Sequence, residues 1–187
     1  MTLDPQTIWI LARATGVASL VALAISMLTG IALRPRLLQP IATNSVVSDV
    51  HSYATALWLP FGLAHVVGIL LDPYAHVGLF DLIVPFQVSY GALAIGLGTV
   101  SVQLVLVVIL AAWSRDRLTP SQWMGFHRLS YLAFGAAFLH SILSGTDLAY
   151  PWLTGVAWVV AAILAIASWK RMLHAFRQPA VARAQRS

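Results

Sequence analysis

The sequence predicts an all-α integral membrane protein: a bundle of five transmembrane helices, with a short interfacial helix in the loop between the second and third. Three observations carry that fold class. Of 187 residues, 59% are hydrophobic and only 9% charged, whereas a soluble domain carries about 25% charge. Five apolar stretches each exceed the ~20 residues a helix needs to cross hydrocarbon. The acidic residues are Asp4, Asp49, Asp72, Asp81, Asp116 and Asp147, with no Glu, and all fall at or beyond the ends of those stretches. An ionisable group costs least there, and the lack of a mid-membrane acid argues against a pump or ion channel.

The first segment, Thr7–Leu33, follows Asp4 rather than a basic region. It is too long for a signal peptide and reads as a retained helix, stopped by Arg34-Pro35-Arg36. The second, Ser45–Leu71, ends at Asp72-Pro73 and contains Pro60 beside Gly62, a combination that bends helices. The connection DPYAHVGLFDLIVPFQVS, Asp72 to Ser89, is too apolar for a solvated loop and too broken by Pro73 and Pro85 to span. It is expected to lie along the outer surface, with an interfacial helix at Val77–Val84. The third segment is Tyr90–Trp113. The fourth, Ser121–Ser144, begins after Thr119-Pro120, an N-cap followed by proline where its missing N–H costs nothing. The fifth, Pro151–Leu173, opens on Tyr150-Pro151. Residues 1–178 form one domain, and the short basic tail 179–187 is expected to fray.

Loop charges orient the chain. Arg34 and Arg36 lie between the first two segments, and Arg115 and Arg117, with Arg128 close by, between the third and fourth. Lys170 and Arg171 close the fifth, Arg177, Arg183 and Arg186 follow it, and the two remaining loops have no Lys or Arg. The positive-inside rule then puts the N-terminus outside and the C-terminus in the cytoplasm. The net charge of +5 serves topology and lipid head groups. No basic face with interleaved aromatics exists, so nucleic acid is not an expected partner. Cysteine is absent, which excludes disulfides and thiolate-bound metal or iron–sulfur centres.

Histidines carry the chemistry. His51 and His65 lie fourteen residues apart in the second segment, and His127 and His140 thirteen apart in the fourth. Each interval spans roughly 20 Å of helix, most of the ~30 Å hydrocarbon core. The two segments run parallel by the loop charges, which puts His51 and His127 near the cytoplasm and His65 and His140 toward the outside. A lone intramembrane histidine is often a packing residue. Four unpartnered imidazoles at matched depths are costly to bury, whereas two hemes, each with one imidazole from either helix, would satisfy them all. Helical phase supports only the first pair: His65 returns to within about 40° of His51, but His140 stands roughly 140° from His127 on a straight helix.

Gly62, Ala64, Gly68, Gly135 and Ala136 flank the histidines and would let a porphyrin lie close to the backbone; their other reading is helix packing through small residues. Arg13, one to two turns into the first segment, is expected to pair with propionates of the outer heme, and Arg128 with those of the inner one. Snorkelling to head groups is the alternative for both. His76 and His174 have no matched partner. Trp9, Trp58, Trp113, Trp123, Trp152, Trp158 and Trp169 lie mainly near segment ends and read as interface anchors.

With these histidines stand the stretches WILARATGVASLVAL, HVVGILLDPY running into FDLIVPFQVSYGALAIGLG, and WMGFHRLSYLAFGAAFLH. Together, over most of residues 7–170, they resemble the ferric reductase-like transmembrane domain family. It includes the membrane halves of ferric reductases and NADPH oxidases and the heme subunit of the bacterial periplasmic methionine-sulfoxide reductase system. The resemblance implies two b-type hemes, with His51 paired to His127 and His65 to His140, in a bacterial inner membrane. The thirteen-residue spacing is usual in that family. Members that act alone carry cytoplasmic flavin and nicotinamide domains. Here the chain ends soon after the fifth segment without a GxGxxG or flavin-type stretch, so flavin is expected only on a partner.

The expected function is therefore a di-heme cytochrome b moving electrons outward, supplied by a cytoplasmic flavin reductase or a membrane quinol. Quinone is thus a further cofactor to consider. The acceptor is a redox protein docked on the outer loop or, alternatively, a ferric chelate reduced directly. A rival from another class is a heme-free membrane scaffold or small transporter whose histidines are merely packed.

Overall fold

The computed structural model describes residues 4–33, 41–144 and 150–184, with the side chains of the last helix as far as residue 173. That chain is helical and has no strand among the described residues. It comprises α1 (Pro5–Leu33), α2 (Asn44–Leu71), α3 (Ala92–Trp113), α4 (Pro120–His127), α5 (Leu129–Ser144) and α6 (Pro151–Ala184), with 3-10 turns at Leu79–Leu82 and Arg115–Arg117. Four helices are long and apolar enough to cross a membrane: α1, α2, α3 and the Pro151–Leu173 part of α6. Large apolar side chains lie exposed along them, among them Leu11, Val21, Leu63, Leu106, Val159 and Ile166. A water-soluble monomer rarely shows so continuous an apolar surface. The Arg34-Pro35-Arg36 stop, the loop holding Asp147, the side chains of His174, Arg177 and Arg183, and Arg186 lie outside the described residues.

Local signals set most helix ends. Thr43 caps α2, its hydroxyl oxygen accepting the Val46 N–H at 3.4 Å. Thr119 caps α4 in a capping box with Gln122, with Pro120 in the first turn, as its sequence requires. α2 continues through Pro60 without interruption. α6 runs past its expected end at Leu173 and through Pro179 to Ala184. Ala180, Ala182 and Ala184 are strong helix formers, and they continue the helix where fraying was expected.

The fourth apolar segment is not one helix. It breaks at Arg128, between α4 and α5. The Arg128 carbonyl accepts a tight i+3 bond from the Tyr131 N–H at 3.1 Å, and the Ser130 hydroxyl donates to the His127 carbonyl at 2.7 Å. These bonds satisfy carbonyls that a continuous helix would have used, so the break needs neither glycine nor proline.

The loop after α2 also differs from expectation. In place of a helix over Val77–Val84 it forms only the four-residue turn Leu79–Leu82, and it lies against α3. Thr99 donates its hydroxyl to the Asp81 carbonyl at 2.9 Å, and Gln103 donates to the carbonyls of Leu82 and Ile83 at 3.1 and 2.8 Å. Those two residues lie about 10 and 16 Å along α3 from its start. The segment therefore turns back along the helix and does not simply cover its end. Phe86, at φ 68°, lays its ring where a Cβ on Gly96 would stand. Polar side chains on α3 take up loop carbonyls that a membrane would leave unsatisfied.

Two helix pairs make the frame. α1 packs along α2, and α3 along α5, while α2 makes no comparably broad approach to α4 or α5. The apolar core lies where α1, α5 and α6 meet: Leu23, Met27 and Ile31 against Phe134, Phe138 and Leu164. Phe138 stacks on Phe134 and meets Trp158 edge-on at 5.1 Å. Trp158 thus packs against this core while about half of it, 48%, stays exposed.

Candidate functional site

The four histidines meet in two pairs across the gap between α2 and the α4–α5 unit. The ring centroids of His51 and His127 are 6.4 Å apart with planes at 75°, and those of His65 and His140 are 6.1 Å apart at 67°. Two imidazoles bound to one metal on opposite sides, with metal–nitrogen bonds of about 2.0 Å, hold their ring centres roughly 6.3 Å apart. Both pairs stand at that separation.

A turn at Arg128 separates His127 from His140, so the two are not spaced as on one straight helix. On a straight helix His140 would face well away from His127. With α4 ending at His127, the two histidines sit on separate helices, and each faces its partner on α2.

Neighbouring helices fix three of the rings. His51 Nδ1 lies 2.7 Å from the Ser26 carbonyl, His65 Nδ1 2.7 Å from the Ala12 carbonyl, and His140 Nδ1 2.8 Å from the Ala94 carbonyl. A carbonyl only accepts, so each Nδ1 carries the hydrogen and donates it. The Nε2 lone pair is left for a metal, the arrangement that orients histidine ligands generally. Thr55 and Ser26 bond to one another at 2.8 Å beside His51, closing the polar shell.

Each of these contacts depends on a glycine four residues past the accepting carbonyl: Gly16 after Ala12, Gly30 after Ser26, Gly98 after Ala94. A Cβ at Gly16, Gly30 or Gly98 would lie 2.8–2.9 Å from the ring of His65, His51 or His140 respectively. In a helix the carbonyl of residue i points toward residue i+4, so only a residue without a side chain leaves that carbonyl approachable. Gly16 and Gly30 are fourteen residues apart, the same interval as His65 and His51. That match was available in the sequence as a signal.

His127 differs. Its Nδ1 is buried without a hydrogen-bond partner among the described residues, and its ring lies 5.1 Å from that of Trp123. Arg115 stands over the same indole at 5.6 Å. Trp123 is therefore a neighbour of the site as well as a residue near a helix end.

The small residues divide between the two readings. Gly62 and Gly68 meet Ser19 and Ala12 on α1, which is helix packing, whereas a Cβ at Gly125 or Gly135 would meet nothing within 4 Å. Ala136 is buried and Ala64 exposed. Arg128 sits in the α4–α5 break with its Nε buried and unpartnered among the described residues. Arg13 follows Ala12 on α1 and places its guanidinium 4.2 Å above the Trp9 ring. His76 is exposed in the loop after α2 at φ 50°.

Among the described residues no three His, Cys, Asp or Glu side chains converge on one point. Two nitrogens cannot complete the shell of a bare ion, which needs four ligands or more. They suffice for a metal that brings its own equatorial ring, and the residues present fit heme on that ground. Comparisons with protein-family models, curated proteins and solved structures find no match to this chain.

Proposed function

We propose that the protein is a di-heme cytochrome b of the ferric reductase-like type, conducting electrons across a bacterial inner membrane from the cytoplasmic face to the outer face. In this reading α4 and α5 together make a fifth crossing, the N-terminus is outside, and His51–His127 is the inner pair. The observation that carries it is the separation of 6.4 and 6.1 Å between facing imidazoles at two levels. Bound there, heme would supply a one-electron iron couple at each level.

The chain's own part is to hold the ligands. Ser26, Ala12 and Ala94 keep three imidazoles in the tautomer that presents Nε2, and Gly30, Gly16 and Gly98 let those rings reach the carbonyls. The apolar helices exclude water, and that burial together with the two imidazoles would set the potential of a heme held there. A cytoplasmic flavoprotein or membrane quinol would act as donor, and a redox protein or ferric chelate as acceptor outside.

Purified protein should show b-type bands in a reduced-minus-oxidised spectrum and two hemes per chain by pyridine hemochrome. His65→Ala and His140→Ala should each remove the same heme and leave the other. A protein purified without b-type bands, or loss of different hemes in the two variants, would overturn the proposal.

A further inference from the structure

We infer that residues 79–86, after α2, are a re-entrant membrane element: they lie in hydrocarbon on the outward face of α3, and their apolar side chains meet lipid chains, not water or a docked protein. The inference rests on the apolar helices being membrane spans and is independent of heme. α3 has two opposite faces. Ala94, Gly98 and Ser101 lie within roughly 60° of one another around the helix and face α5. There Ala94 and Gly98 meet His140, and Ser101 donates to the Ala133 carbonyl at 2.9 Å. Gly96, Thr99 and Gln103 stand roughly 140–200° round the helix from Ala94. These three meet Phe86 and the carbonyls of Asp81, Leu82 and Ile83. The segment therefore lies on the side of α3 turned away from α5.

Its depth follows from the same bonds. Gln103 stands near the midpoint of α3, a helix about 33 Å long against a hydrocarbon core of ~30 Å. Leu106 and Leu110 continue the stripe of Thr99 and Gln103 beyond the segment, and both are exposed. The stripe is thus polar where the segment covers it and apolar where it is bare. Irregular backbone is tolerated at such depth only when its polar groups are satisfied. The carbonyls of Phe80, Asp81, Leu82 and Ile83 each accept a hydrogen bond, the first from the Ile83 and Val84 N–H groups at 3.0 Å. Pro85 has no N–H to satisfy, and the Asp81 carboxylate accepts the Gly78 N–H at 2.8 Å. A turn lying in water would not need the α3 donors, because water would serve its carbonyls. The side chains agree with the backbone. Leu79, Phe80 and Ile83 are 72, 65 and 71% exposed, and they extend the bare apolar surface of Leu106 and Leu110. That continuity makes lipid chains the occupant.

The test uses the full chain, which has no cysteine of its own, reconstituted in phosphatidylcholine vesicles. Ile83→Cys, Leu106→Cys and Tyr74→Cys each take a nitroxide label at an exposed position. Leu79→Cys repeats the Ile83 measurement at a second exposed site, should the first variant fail to fold. Power saturation of the electron spin resonance signal then reads collisions with oxygen, which enters lipid, and with a water-soluble nickel chelate. Labels at Ile83 and Leu79 should collide with oxygen and lose collisions with nickel, as the one at Leu106 does, whereas the label at Tyr74 should collide with nickel. Nickel collisions at Ile83 and Leu79 equal to those at Tyr74 would put the segment in water and overturn the inference. Labels there shielded from both reagents would mean that protein covers the segment, and would overturn it too. A Leu106 label open to nickel would instead overturn the membrane reading on which this rests.

Discussion

At the scale of single residues, the glycines opposite the histidines hold the site's geometry as firmly as the histidines themselves. A methyl group at Gly98 would meet the His140 ring at 2.8 Å, and one at Gly135 would meet nothing within 4 Å. Gly98→Val should therefore displace His140, cost about 1–3 kcal/mol by overpacking, and reduce the outer heme below one per chain by hemochrome assay. Gly135→Ala, on the same assay, should bind two hemes. Equal loss in both would mean that the glycines act through general helix packing. The histidines were plain in the sequence because imidazole is rare in apolar segments. Of their glycine partners, Gly16 and Gly30 repeat the fourteen-residue interval of His51 and His65, but no spacing rule says which helix lies opposite.

At the scale of elements, two departures from a simple five-segment reading share one cause. Side-chain hydroxyls and amides satisfy backbone carbonyls and so permit irregular chain beside apolar helices. In the α4–α5 break the donor is Ser130. Ser130→Ala leaves the His127 carbonyl short of a donor, at about 1 kcal/mol, and should broaden or shift the inner heme's spectrum while leaving the outer unchanged. In the loop after α2 the donors are Thr99 and Gln103. The double substitution Thr99→Val with Gln103→Leu should raise amide hydrogen exchange across residues 78–86 by tenfold or more without altering exchange in α2. Unchanged protection there would show that apolar contacts such as Phe86 on Gly96 hold the segment alone. Apolar periodicity cannot reveal such a break, since α4 and α5 are jointly as apolar as one span.

At the scale of the whole molecule, the packed pairs α1–α2 and α3–α5 meet in the core that α1, α5 and α6 share, and the histidines face one another between α2 and the α4–α5 unit. A heme at each level would link α2 to the α4–α5 unit, so binding would contribute to folding as any native-state ligand does. Heme-depleted protein should therefore unfold at a lower temperature than the loaded form. Orientation is separately testable because the chain contains no cysteine. Tyr74→Cys, at an exposed site in the loop after α2, should react with a membrane-impermeant thiol reagent added outside spheroplasts. Asp116→Cys, beside the exposed Arg115–Arg117 turn, should react only after the membrane is opened. The reverse pattern would invert the direction assigned to electron flow.

Most of the apolar helices, the cap at Thr119-Pro120 and the pairing of His51 with His127 and His65 with His140 are legible in the sequence. Composition, loop charge and spacing along one helix are local quantities that can be read in order. Tertiary packing shows that both histidines of the thirteen-residue interval face α2, with a turn at Arg128 between them. It alone showed which carbonyls and glycines fix the rings, and that Arg171 reaches Gly30 from the far end of the chain. Those facts depend on which helices lie side by side. Packing between elements distant in sequence sets that, and no pattern within a single segment encodes it.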